Sequence, residues 1–133
     1  MDLRELAGLS LGPGPWLEID QLHLERFWKA LDYPGEGAQV PLLYLLSLLP
    51  ALSSGQNLPV PAPRATINYG LNWFAGGEPC QSGDLVRATT TVSGAEWLGG
   101  PGRSPLQIIR RAGIENDRSE LVLSAETVSR LIF

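Results

Sequence analysis

Val40-Pro41-Leu42-Leu43-Tyr44-Leu45-Leu46-Ser47-Leu48-Leu49-Pro50-Ala51-Leu52 is the longest apolar run in the chain, interrupted only by Ser47. Crossing a bilayer takes about 20 apolar residues, so the run is too short for a membrane span. It reads instead as one helix over 40–52, buried on all sides within the protein. Pro41 suits the first turn of such a helix, where its missing N–H costs nothing. A charge in a helix so enclosed has no water and no partner, so Leu46→Asp is expected to abolish folding.

Downstream the pattern changes. Residues 53–65 hold Ser53-Ser54-Gly55 and prolines at 59, 61 and 63, and read as an extended linker with polyproline character. From 66 to 133 the chain reads as strands. Thr66 to Phe74 is rich in β-branched and aromatic residues, and Leu85 to Val92 carries Thr89-Thr90-Thr91. Leu106 to Ala112 and Leu121 to Ile132 flank Glu115-Asn116-Asp117-Arg118, a connector with hairpin chemistry. Upstream, residues 1–15 form an N-terminal segment that ends in the stiff turn Gly12-Pro13-Gly14-Pro15. A helix over 20–31 follows, with Asp20 at its N-cap and Leu24, Phe27, Trp28 and Leu31 on one face. Pro34 and the glycines beside it stop that helix. The result is one α+β domain, since only an antiparallel sheet wrapped around the long apolar helix would bury both.

Composition narrows the function. The chain has 133 residues, 44% hydrophobic and 18% charged, which excludes intrinsic disorder and a pair of separate domains. A net charge of −4 has the wrong sign for a nucleic-acid binder. One cysteine, Cys80, can neither staple the fold nor anchor a zinc site, and together with a leader-less N-terminus it points to the cytoplasm. No metal, cofactor, nucleic-acid or membrane partner is expected.

Several motifs, in order and spacing, resemble the MaoC-like (R)-specific enoyl-CoA hydratase/dehydratase family, in particular its NodN-like branch. They are Trp16, Ile19-Asp20-Gln21 and Phe27; Leu46-Ser47-Leu48-Leu49-Pro50; Asn68-Tyr69-Gly70-Leu71-Asn72; and Gly83-Asp84-Leu85-Val86-Arg87-Ala88. The resemblance covers about Leu6 to Leu131. It implies a hot-dog fold, an antiparallel sheet around a central helix. It also implies fatty-acid metabolism, with acyl thioesters of coenzyme A or acyl carrier protein as ligands. Catalytic members of that family use an Asp and a His about five residues apart on one water. One takes the water's proton while the other delivers a proton to the α-carbon. Asp32 stands near the place of that Asp, but Gly37 follows five residues later and no histidine lies beyond His23. The family's Ala-His-Gly falls on Val40-Pro41-Leu42, and the segment before the apolar run is shorter than in catalytic members.

The resemblance leaves three readings open. The first is an acyl-thioester-binding protein without the dyad, acting as a non-catalytic subunit or binding module. It would be a homodimer with a continuous sheet, or a partner of a catalytic paralogue that supplies the missing histidine. The second is an active thioesterase or hydratase/dehydratase using Asp32 or Glu36, with His23 a weaker candidate. The third is a structural protein whose pocket is filled by Tyr33, Tyr44 and Trp73. Candidate substrate-binding residues are Tyr33, Pro41, Leu42, Tyr44, Asn68, Tyr69, Gly70 and Arg103, the arginine for phosphates. Arg110 and Arg111 are adjacent on a strand and so face opposite ways, with one free to meet a partner.

Overall fold

Alternation decides the sheet. Along β5 (Leu106–Asn116) the even-numbered Leu106, Ile108, Ala112 and Ile114 are buried and their odd neighbours are not. The computed structural model describes residues 1–32 and 37–133, and in it β5 lies at the centre of an antiparallel sheet. The flanking strands are β4 (Leu85–Trp97) and β6 (Leu121–Ile132). Beyond β4 lie two short strands, β1 (Ser10–Leu11) and β2 (Leu17–Glu18), and beyond β6 lies β3 (Ala65–Gly76). The spatial order β1-β4-β5-β6-β3 carries β3 to the edge opposite its sequence neighbour β4.

Among the described residues three α-helices, α1 (Gln21–Ala30), α2 (Leu42–Ser47) and α3 (Leu49–Leu52), cover one face. Asp20 caps α1, its carboxylate accepting the Leu22 N–H at 2.7 Å. Leu24 and Trp28 of α1 are buried, but Leu31, counted on the same stripe, is exposed.

The run 40–52 is not one helix. It breaks at Leu48, because Pro50 has no N–H to give the Leu46 carbonyl and its ring crowds that carbonyl. Pro50 instead enters the first turn of α3, where proline is tolerated. Pro41 is the N-cap of α2 and not a member of its first turn. Nor is the run enclosed on all sides. Val40, Tyr44, Leu45, Leu49 and Leu52 are buried on one stripe, whereas Leu42 and Leu43 are 40% and 56% exposed. Room for that stripe comes from small residues on the sheet: Ala88, Ala112 and Ala125 pack in the same cluster as Leu45, Leu49 and Leu52. Ala112 is the cross-strand partner of Ala125.

A second cluster holds Leu6, Val92, Leu106, Ile108 and Leu131 near the N-terminal turn. Among the described residues no helix is long and apolar enough to cross a membrane.

Two hydrogen bonds join Ile19, at the entry to α1, to the turn before β4. Ile19 donates its N–H to the Asp84 carbonyl at 2.9 Å and accepts from Gly83 N–H at 2.7 Å. Gly83 turns with φ of +92°, a conformation that penalises a Cβ. The Asp84 carboxylate then accepts the Gln81 N–H at 3.0 Å and pairs with Arg118 at 3.3 Å. Burial alone would raise the Asp84 pKa, but the Arg118 and Gln81 hydrogen bonds outweigh it and hold the carboxyl below its ordinary value.

Two predictions follow from this packing. Leu45 is 1% exposed whereas Leu46 is only half-buried. Leu45→Asp should therefore abolish the cooperative unfolding transition, while Leu46→Asp, against the expectation from sequence, should still fold with a lowered midpoint; circular dichroism melts check both. Asp84 has a folded pKa below its unfolded value of about 3.9, so its contribution is present above that pH and is lost as pH falls through the folded value. In denaturant titrations the stability gap between wild type and Asp84→Asn should be constant near neutrality and shrink on acidification.

Candidate functional site

The inward face of β5 reads Leu106, Ile108, Arg110, Ala112, Ile114, an apolar series with a guanidinium at its centre. Arg110 divides the two core clusters. Leu106 and Ile108 belong to one, Ala112 and Ile114 to the other. Its cross-strand partners are Val92 on β4 and Thr127 on β6, and Thr90 sits beside it as the partner of Ala112.

At this belt a cavity of about 390 Å³ opens between the helix pair and the sheet. Leu46, Leu49 and Pro50 form its roof. Ala112, Thr90, Arg110, Thr127 and Ser129 form its floor, and Thr66, Asn68, Gly70 and Leu71 of β3 its side wall. Most of the wall is apolar. Gln56, from the linker, donates to the Ala88 carbonyl at 2.9 Å and accepts from the Thr90 hydroxyl at 2.9 Å, so Thr90 is satisfied from that side.

Arg110 is not satisfied in this way. Its Nε is buried with no hydrogen-bond partner, and burial pushes the guanidinium pKa down. Arg111, by contrast, faces outward and pairs with Glu126 at 3.4 Å. The pair thus splits as strand geometry requires, but the arginine of consequence, Arg110, points inward to the cavity and not to a partner. The signal was present: Arg110 is in phase with four apolar residues of its strand.

The candidates read from sequence are scattered. Asn68 and Gly70 line the cavity. Tyr69, between them, faces outward, is 58% exposed and carries the Arg130 guanidinium 3.6 Å above its ring. Tyr44 is buried against Phe27, edge to face with centroids 5.2 Å apart. Pro41 is half-buried at the start of α2, and Leu42 is exposed beside Gly76. Arg103 lies in the turn between β4 and β5 and does not line the cavity. His23 is exposed on α1, and Asp32, just past its end, is exposed with a left-handed φ of 51°. Tyr33 and Glu36 lie outside the described residues.

Cys80 is 2% exposed, and burial first, then the charge of Asp84, pushes its thiol up to about 12, which makes it a poor nucleophile. Among the described residues no three of His, Cys, Asp and Glu gather as metal ligands.

No protein-family model matches the chain. It is similar to the 3-hydroxyacyl-thioester dehydratase Z of Mycobacterium tuberculosis, with 33% identity over 113 residues covering 74% of each chain. A MaoC-like dehydratase from Rhodospirillum rubrum superposes with a TM-score of 0.77 at 16% identity, over 100% of this chain and 98% of that one. The HadBC (3R-hydroxyacyl-ACP dehydratase) complex from Mycobacterium tuberculosis gives 0.69 at 16% identity, over 94% and 96%. The (R)-hydratase from A. caviae involved in PHA biosynthesis gives 0.67 at 19% identity, over 94% and 96%. These three likenesses speak for the fold, and the dehydratase Z identity for kinship. With its antiparallel sheet packed against a helix pair and 33% identity over 113 residues to a known dehydratase, the chain belongs to the MaoC-like dehydratase family of hot-dog proteins.

Proposed function

We propose that this chain binds acyl thioesters of coenzyme A or acyl carrier protein in the cavity beneath α2 and α3, as a non-catalytic subunit or binding module of the NodN-like branch. The observation that carries the reading is an open, largely apolar cavity whose described walls include no histidine and no carboxylate. Thioester chemistry in this family is suggested by the name of the dehydratase Z relative. Hydration needs an acid and a base within hydrogen-bond reach of one water. His23 and Asp32 flank opposite ends of α1, on the order of 13 Å apart at 1.5 Å per residue, too far to share one.

Tyr44 lies in the core and Trp73 is 42% exposed, so neither plugs the cavity, which favours binding over a filled structural role. A second reading, turnover by Asp32 with or without Glu36, is motivated by the left-handed backbone of Asp32, a conformation that Asp tolerates at some cost.

Assembly is part of the proposal. β3 is a twelve-residue edge strand without a charge or a proline, exposed along its whole length. Ile67, Tyr69, Leu71, Trp73 and Phe74 are each at least 40% exposed. Such an edge is a template for strand pairing, and a patch of this kind in a folded protein marks an interface. A second copy, or a catalytic paralogue, would extend the sheet there and complete the side wall of the cavity. The HadBC complex supports a two-chain arrangement in the same fold.

Crotonyl thioesters should raise the melting temperature without measurable hydration. Turnover abolished by Asp32→Asn would establish the second reading instead, and no thermal response to any thioester would return the structural one. In size-exclusion chromatography with light scattering the chain should run as a dimer, and Trp73→Glu should shift it to monomer while the far-ultraviolet spectrum is kept.

A further inference from the structure

We propose that the cavity receives an acyl chain that ends in a carboxylate, so that the ligand is a dicarboxylic acyl thioester whose far end pairs with Arg110. The proposal rests on the acyl-thioester reading above, and its test separates the two.

Arg110 occupies a position that the fold otherwise fills with apolar side chains, and there it splits one core into two. A partly buried charge without a counter-charge is unfavourable, and among the described residues no carboxylate pairs with Arg110 or lines the cavity. The other half-buried arginines are provided for. Arg87 bonds Glu115 at 2.6 Å and lies 4.2 Å from the centre of the Trp16 ring, and Arg130 bonds Gln107 at 3.1 Å and stacks on Tyr69. Arg110 alone among these three is aimed into an open space.

The walls define the rest of the ligand. Leu46, Leu49 and Leu71 offer an apolar lining fit for methylene groups. Near the guanidinium, Asn68, Thr127 and Ser129 add neutral hydrogen-bonding groups, suited to the second oxygen of a planar anion. A guanidinium meets a carboxylate through two parallel N–H···O bonds, and such a charge-assisted pair is about twice as strong as a neutral hydrogen bond. A plain alkyl chain would leave Arg110 desolvated and alone, so the cavity discriminates in favour of the charged tip. The phosphates of a coenzyme A or carrier arm are a second source of anionic charge, but they belong to the hydrated end of the ligand and not to a chamber roofed by leucines.

Isothermal titration should compare coenzyme A, hexanoyl-coenzyme A, adipoyl-coenzyme A and free adipate on wild type, Arg110→Met and Arg110→Lys. Expected are adipoyl-coenzyme A binding at least roughly tenfold tighter than hexanoyl-coenzyme A, loss of that preference in Arg110→Met through weaker adipoyl and tighter hexanoyl binding, and partial retention in Arg110→Lys. Arg110→Met should melt no lower than wild type, because it exchanges a half-buried cation whose Nε has no partner for an apolar side chain of similar length.

Equal wild-type affinities for the two acyl thioesters would overturn the proposal. So would equal weakening of all coenzyme A ligands by Arg110→Met, which would assign the arginine to a phosphate or the thioester itself. Dissociation of a dimer by Arg110→Met without any ligand preference would also overturn it, giving the counter-charge to a second copy. If no thioester binds but adipate does in an Arg110-dependent way, the carboxylate site stands and the acyl-thioester reading falls. If nothing binds, both fall.

Discussion

The helix pair rests on the sheet by one stripe only. Val40, Tyr44, Leu45, Leu49 and Leu52 reach down to a floor made shallow by Ala88, Ala112 and Ala125, while Leu42 and Leu43 on the other side are exposed. That one-sided seat sets the rest of the structure. Pro50 prevents a straight helix from running the full length of the run, so the pair bends at Leu48. The cavity lies beside this bend, between the end of the helix pair and the part of the sheet where alanine gives way to arginine and threonine.

Kinship and chemistry lie in different parts of this molecule. Ile19, Asp20, Gly83 and Asp84, which carry much of the family resemblance, act as joints: a backbone pair, a helix cap, a left-handed turn and a loop-pinning carboxylate. They need no substrate to explain them. The polar belt at Thr90, Arg110 and Thr127, which belongs to none of those motifs, is the part of the concave face that departs from what packing alone would select.

The sheet order has a functional consequence. Placing β3 beyond β6 leaves a long uncharged strand with one row of backbone groups unpaired, and it puts the wall of the cavity on that same strand. In the proposed arrangement, assembly and ligand binding would share residues around Asn68 to Leu71. A subunit that docks on β3 would also shape the space its neighbour offers to a ligand.

Much of the fold was legible in the sequence because local rules agree there. β-Branched and aromatic residues marked β3 and β4, the connector Glu115-Asn116-Asp117-Arg118 marked the pair β5 and β6, Asp20 marked the start of α1, and glycine and proline marked the turns. The apolar run was recognised as helical, but its break and its exposed side were not. A run of leucines carries no periodicity, so nothing local says which face meets the sheet. Of the site, the sequence already placed Asn68 and Gly70 on the strand that walls the cavity, and strand geometry put Arg110 and Arg111 on opposite faces. Which of the two turns inward depends on the register of β5 against β4 and β6 and on the side of the sheet the helices cover, both set by contacts between residues far apart in the chain. The tertiary structure alone decided that Arg110 is the one that turns inward, that β3 leaves its neighbour β4 for the far edge, and that a cavity remains between the sheet and the helix pair.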